Sequence, residues 1–204
     1  RHGALLLIDE THTFSAGPGG MTQAENLQPD IFVIGKSIAG GIPIGTYGIT
    51  HELADRINSH EDADLVDVGG VGGTLAGNAV SMAAARATLS EVLTDQAFEA
   101  MTKLATRFTI GVQNVLDRSD VPWSISQLGA RAEYRFTNPA PRNGTESAAA
   151  GDDDLDEYMH LYTLNRGVLM TPFHNMALMC PTTTEADVDV HTDIFAQAVS
   201  ELYD

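Results

Sequence analysis

The chain has 204 residues, 43% of them hydrophobic, which is enough for one large domain or two small ones. Eleven Lys and Arg against 28 Asp and Glu leave a net charge of -17, a field that repels phosphate backbones and anionic lipid and so argues against nucleic-acid and membrane-surface partners. No apolar run is long enough to cross a bilayer and the opening Arg1-His2-Gly3-Ala4 does not make a secretory signal, so a cytoplasmic protein is expected, while Cys180, the sole cysteine, excludes an intrachain disulfide and a cysteine metal cluster.

Leu5 to Ile8 is wholly apolar and ends at Asp9-Glu10. This is the pattern of a strand buried on both faces of a parallel sheet, with polar residues emerging at the carboxyl end, where open α/β sheets place ligands. Gly17-Pro18-Gly19-Gly20 predicts a turn, Met21 to Leu27 a short helix, and Ile31 to Ile34 a second apolar strand that runs directly into Gly35-Lys36. A third extended segment covers Ile44 to Thr50 and feeds a helix over His51 to Asn58. His60 to Gly73, acidic and then glycine-rich, reads as a loop. Asn78 to Leu93 carries Ala, Met and Leu at helical spacing, and Asp95 can cap a further helix with Phe98, Met101, Leu104, Ala105, Phe108 and Val112 on one side, a core stripe.

From Trp123 the character changes to α+β. Ser124 to Gln127 and Ala132 to Thr137 predict short strands, Asn138 to Asp153 a loop, Leu155 to Asn165 a helix ending before Gly167, Val168 to Thr171 and Met176 to Cys180 short strands, and Thr184 to Leu202 an acidic amphipathic helix capped by Thr183 or Thr184. The expected division is into residues 1–95 and 96–204, with the boundary near residue 96. No internal repeat is visible.

Several familiar motifs fail on a required residue. Gly35-Lys36-Ser37 has Asp30 where a phosphate-binding loop needs glycine, the Gly69 to Gly73 run has Leu75 in place of the last glycine of a dinucleotide fingerprint, and His51-Glu52 has no second histidine for a zinc-protease pair. Asn143-Gly144-Thr145 fits a glycosylation acceptor but lacks a secretory context.

What remains is Asp9 at the end of one apolar strand and Lys36 at the end of the next, 27 residues on. That separation suits two neighbouring strands joined by a crossover, so both side chains can reach one ligand at the sheet's carboxyl edge. Pyridoxal phosphate needs such a pair: an amine to capture its aldehyde and a carboxylate to keep the pyridine nitrogen protonated. An Asp–Lys salt bridge, or two unrelated surface residues, is the alternative that spacing alone leaves open.

Three blocks, Leu7-Ile8-Asp9-Glu10-Thr11-His12-Thr13, Pro29 to Gly45 through Gly35-Lys36-Ser37, and Gly73-Thr74-Leu75-Ala76-Gly77-Asn78, resemble in order and spacing the class III aminotransferases, a family that includes the glutamate-1-semialdehyde aminomutases. Weaker likeness runs through Arg166-Gly167-Val168 to the last helix, so the whole chain resembles the second half of such an enzyme.

The resemblance implies an α/β fold: the C-terminal part of a fold-type I large domain, with a mainly parallel sheet and flanking helices over 1–95, and a small α+β C-terminal domain over 96–204. It implies pyridoxal 5'-phosphate as cofactor, Lys36 as its Schiff-base lysine and later the proton shuttle at the substrate's α-carbon, and Asp9 as partner of the pyridinium nitrogen. Thr74 would reach the cofactor phosphate of a neighbouring subunit, hence a homodimer with shared sites; a helix-capping threonine is the alternative. Thr11 and His12 stand where the family commonly has valine and glutamine or methionine, yet can still contact the ring.

The arginine that many members place before the C-terminal proline is absent from Met176 to Pro181, which leaves Arg131 and Arg142 as candidates for a substrate carboxylate. The phosphate cup and stacking aromatic of the family are not identifiable. The chain is therefore expected to be a fragment, a truncated product or one part of a split enzyme that needs an N-terminal half. The expected activity is amino-group transfer between an amino compound and an oxo acid or aldehyde, with an aminomutase or an inert structural subunit as alternatives.

Overall fold

The computed structural model describes residues 2–59, 73–171 and 174–203. They fall into two compact units, Arg1–Asp95 and Gln96–Asp204. The loop expected over His60 to Gly73 lies, apart from Gly73, outside the described residues.

The first unit is built on a three-stranded sheet of order β1 (Leu7–Asp9), β2 (Ile31–Gly35), β3 (Gly45–Ile49). β1 and β2 are parallel, with Asp9 opposite Val33, while β3 returns antiparallel to β2 with Gly45 opposite Gly35. Between β1 and β2 the chain makes a 3-10 turn at Thr13–Ala16 and a short helix, α1 (Gly20–Ala24). α1 ends three residues before the expected Leu27, because Asn26 turns left-handed at φ +50°, a conformation asparagine tolerates better than most residues.

α2 (His51–Asn58) has the predicted bounds and is capped by Thr50, whose hydroxyl accepts from the Leu53 N–H at 3.3 Å. The helix expected over Asn78 to Leu93 divides. α3 (Ala79–Ala87) starts at the Asn78 cap, which accepts from the Ser81 N–H at 3.0 Å, and then widens into a π-helical turn at Thr88–Val92, where the Leu93 N–H reaches the Thr88 carbonyl at 2.9 Å. Asn78 thus does the capping that was the alternative role for Thr74.

The second unit contains α4 (from Asp95 to Ser119), a second sheet of order β4 (Ser124–Leu128), β5 (Arg131–Arg135), β6 (Met176–Leu178), all antiparallel neighbours, and the helices α5 (Gly144–Ala149), α6 (Asp153–Leu164) and α7 (Glu185–Tyr203). Phe98, Met101, Ala105, Phe108 and Val112 bury the predicted stripe of α4, and Phe195, Ala198 and Val199 of α7 are likewise buried. Trp123 and Tyr134 complete the core, with the Tyr134 and Phe195 rings 5.0 Å apart.

Two expectations for this unit are corrected. The Asn138 to Asp153 segment is not all loop: Asn143 accepts from the Glu146 N–H at 3.0 Å while the Asn143 amide donates to Glu146 Oε1 at 2.8 Å, and this local pairing nucleates α5. Val168 to Thr171 is not a strand. Gly167 (φ +89°) closes α6, with the Val168 N–H on the Thr163 carbonyl and the Gly167 N–H on the Leu164 carbonyl, both at 3.0 Å, so the chain after it is spent ending the helix. No helix among the described residues is long and apolar enough to cross a membrane.

Candidate active site

The parallel pairing of β1 and β2 brings their carboxyl ends side by side. The Glu10 N–H donates to the Val33 carbonyl at 2.8 Å and pins the register one residue beyond Asp9. Lys36 leaves β2 directly after Gly35 with φ +53°, in the left-handed region that L-residues avoid at a cost of about 1–2 kcal/mol. Such strain persists only where the surroundings over-determine it; here Ile38 and Ala39 are buried in the turn Lys36–Ala39, and Gly35 packs so close that a Cβ there would lie 3.2 Å from the Ile44 carbonyl oxygen.

Among the described residues Asp9 and Lys36 do not close an ion pair with each other. Lys36 Nζ lies 3.1 Å from His12 Nε2, and Asp9 Oδ1 accepts from the Thr11 N–H at 2.9 Å. All three side chains of Asp9, His12 and Lys36 are exposed. The Asp9 carboxyl is held below its usual range by hydrogen bonds from the Thr11 hydroxyl and N–H; desolvation opposes them, and the positive fields of Lys36 and His12 add smaller lowering contributions. The strand ends therefore present an ionised carboxylate, an amine and an imidazole to one solvent-accessible edge, none consumed by a mutual salt bridge.

Beneath them is a residue that sequence reasoning passed over. Glu10 is fully buried and accepts from the Thr13 hydroxyl, the Met21 N–H at 3.2 Å, and both the N–H and hydroxyl of Thr22. Burial raises its carboxyl pKa, yet these donors outweigh burial and the net shift is downward. Gly20 (φ +61°) is required at the same place, since a Cβ on it would stand 2.6 Å from Glu10 Oε2. The signal available in the sequence was a carboxylate followed by Thr13 and Thr22, hydroxyls either side of a glycine-rich turn.

Thr74 lies exposed in a turn between Gly73 (φ +79°) and Gly77 (φ +67°), and among the described residues it makes no hydrogen bond to Asp9, His12 or Lys36. The next helix is tied to the segment after Lys36 through Ser81, whose hydroxyl donates to the Pro43 carbonyl at 3.0 Å. The two arginine candidates belong to the second unit. Arg131 is held by Glu133 at 2.7 Å with its side chain 23% exposed, whereas Arg142 is 87% exposed and only loosely paired with Glu146 at 3.6 Å.

Two sheets flanked by helices, the first with an amine and a carboxylate at neighbouring parallel strand ends, define a mixed α/β protein of the aminotransferase type. Residues 1–199 match the family described as "Aminotransferase class-III", and the chain belongs to it. Among curated relatives, the glutamate-1-semialdehyde 2,1-aminomutase of Akkermansia muciniphila is 31% identical over 99% of this chain and 46% of its own length, and that of Limosilactobacillus reuteri is 33% identical over 84% and 38%. Among solved structures, a glutamate-1-semialdehyde-aminomutase from Pseudomonas aeruginosa PAO1 superposes with a TM-score of 0.92 at 46% identity over 99% of this chain and 46% of that one; a lysine-to-alanine variant of it was solved in complex with PMP. A β-phenylalanine aminotransferase from Variovorax paradoxus shares the fold at a TM-score of 0.84 and 24% identity. The chain spans about half the length of the curated relatives it matches, or less, and corresponds to their C-terminal part.

Proposed function

We propose that this chain supplies the cofactor lysine and the pyridine-side carboxylate of a pyridoxal-phosphate-dependent enzyme that transfers an amino group between an amino compound and an oxo acid or aldehyde. The observation that carries the reading is the pairing of an exposed Lys36 amine and an ionised Asp9 at adjacent parallel strand ends, with neither neutralised by the other. Residues 1–95 are then part of the cofactor-binding large domain and 96–204 the small domain.

The donor set fits the group. Pyridoxal phosphate, when bound, supplies an aldehyde that a primary amine can capture and a ring that draws electron density from the carbon beside the captured nitrogen. Asp9, held ionised, would keep a proton on the ring nitrogen. Lys36 would hold the group through its aldehyde and would carry the proton at the substrate's α-carbon. His12, at 3.1 Å, shares a proton with the Lys36 amine and orients it, while Thr11 keeps the Asp9 carboxylate aimed along the strand end.

Thr74, exposed on its glycine-flanked turn, is free to donate to the cofactor phosphate of a second subunit, which makes the enzyme a homodimer with shared sites. Arg142 is freer than Arg131 to grip a substrate carboxylate, because its guanidinium is not committed to a buried carboxylate. The cellular setting proposed is the cytoplasm, and the working enzyme includes the N-terminal half that the longer relatives carry.

An aminomutase is the second reading, favoured by the 46% identity to the Pseudomonas aeruginosa protein. The test is to load the chain, combined with a class III N-terminal half, with an amino donor and then offer a separate 2-oxo acid or an amino-aldehyde. Discharge by the oxo acid supports the transaminase, and discharge only by the amino-aldehyde supports the mutase. Turnover that survives Lys36→Ala contradicts both.

A further inference from the structure

The turn that carries Lys36 rests on one helix face. Lys36–Ala39 packs against α3 and against the π-helical turn that continues it. The buried residues of that helical segment, Ser81, Ala85 and Thr88, recur four and three positions apart and so lie on a single stripe. All three are small, so the backbone of the turn can lie close to the helix.

The stripe meets the segment after Lys36 at two places. The Ser81 hydroxyl donates to the Pro43 carbonyl at 3.0 Å and accepts from the Asn78 amide at 2.9 Å, so its rotamer is fixed from both sides. Seven residues along, Gly40 (φ +59°) comes so near that a Cβ on it would stand 3.1 Å from Thr88 Oγ1. Ile38 and Ala39, which precede Gly40, are 1% and 2% exposed. A lysine at φ +53° keeps that conformation only if its surroundings hold it, and the Lys36 side chain is itself exposed. The restraint therefore comes from the backbone that follows, which α3 holds at Gly40 and at Pro43.

We propose that Ser81 and Thr88 are positioning residues for Lys36: they hold the turn in its left-handed start and so set where the amine stands beside His12 Nε2, 3.1 Å away. Both act through the backbone of the turn. The consequence for amino-group transfer rests on Lys36 being the cofactor lysine, whereas the geometry does not.

The chain has only two lysines, so lysine isotopically labelled at Cε gives two signals, with Lys103 as internal reference. In the full chain without cofactor, the Lys36 signal is expected to show a nuclear Overhauser contact to the His12 ring. Ser81→Ala and Thr88→Ala should each weaken that contact while the Lys103 signal and the circular dichroism spectrum stay as in the parent. Thr88→Ser, which keeps the oxygen beside Gly40, should retain it. Ser90→Ala is the control and should change nothing, since its exposed hydroxyl donates to the Arg86 carbonyl at 2.7 Å within the same helical segment. Should Ser81→Ala unfold the first unit, the two Thr88 variants decide. Borohydride trapping with limiting pyridoxal phosphate should then show the preference for Lys36 over Lys103 falling about tenfold in Ser81→Ala, as ångström-scale displacement of a reacting group would produce. The proposal is overturned if the contact is missing from the parent, survives intact in Ser81→Ala and Thr88→Ala, or is lost equally in Ser90→Ala. A parent that shows the contact, loses it in the stripe variants and yet has no trapping preference would sustain the positioning role and contradict the cofactor reading instead.

Discussion

In the second unit Phe108, Val112, Phe195 and Val199 are 2%, 0%, 0% and 0% exposed, whereas in the first Leu5, Leu6, Leu7 and Tyr47 remain 49%, 49%, 54% and 46% exposed. The rings of Trp123, Tyr134 and Phe195, a 25-residue helix and a three-stranded sheet close the second unit around one core. The first unit has a thin sheet whose apolar side chains stay open, yet it carries the amine and carboxylate. Its candidate site is positioned by backbone register, by the buried Glu10 carboxylate and by the burial of Ile38 and Ala39 in the turn that begins at Lys36.

That contrast can be broken in several ways. The largest effect is expected from Lys36→Ala in the reconstituted enzyme: single-turnover amino transfer should fall by about a thousandfold or more, while the thermal unfolding of either unit stays put. Next comes Glu10→Ala, which strands the N–H groups of Met21 and Thr22 and should cost the first unit about 3 kcal/mol in a urea titration; an unchanged midpoint would contradict the role given to Glu10. Because the folded-state pKa of Glu10 is lowered, its contribution is present at neutral pH and is lost as pH falls through that lowered value.

The second unit has an acid sensitivity of its own. His191 is buried against Phe108, ring centroids 4.4 Å apart, with neither ring nitrogen hydrogen-bonded among the described residues, and burial pushes its pKa down to about 4. The unfolded chain takes up the proton near 6.5, so stability is full above that pH and declines toward about 4, by about 3 kcal/mol in total. His191→Phe should flatten this acid limb in the second unit alone; an unchanged slope would place the acid sensitivity elsewhere. The smallest effect is expected from Arg142→Ala, about 0.5 kcal/mol or less in stability, because its pair with Glu146 is exposed. A raised KM for the oxo acid in that variant, with kcat unchanged, would mark Arg142 as the substrate grip.

Much of this was legible in the residues. The apolar run into Asp9, the Ile31 strand into Gly35-Lys36 and the α4 stripe all announce their elements, although Leu5, Leu6 and Leu7 are about half exposed in this chain where burial on both strand faces was expected. The Asp9–Lys36 pairing follows from spacing together with family resemblance. Less visible were α5, where a four-residue Asn-to-Glu cap overrides a loop-like composition, and the Gly167 closure, which spends the apolar Val168 segment on a helix end instead of a strand. Glu10 was hidden because its importance lies in donors 3, 11 and 12 residues away that only the folded turn gathers. The approach of His12 to Lys36 likewise depends on the strand register and not on any local motif.

The central claim is tested most directly by where pyridoxal phosphate attaches. The chain contains only two lysines, Lys36 and Lys103, and both are exposed. Borohydride reduction of the chain incubated with limiting pyridoxal phosphate, followed by peptide mass mapping, should place the label on Lys36 and not on Lys103, and Asp9→Asn should reduce that preference. Equal labelling of the two lysines, or labelling of Lys103 alone, would show that the strand-end amine has no special affinity for the cofactor.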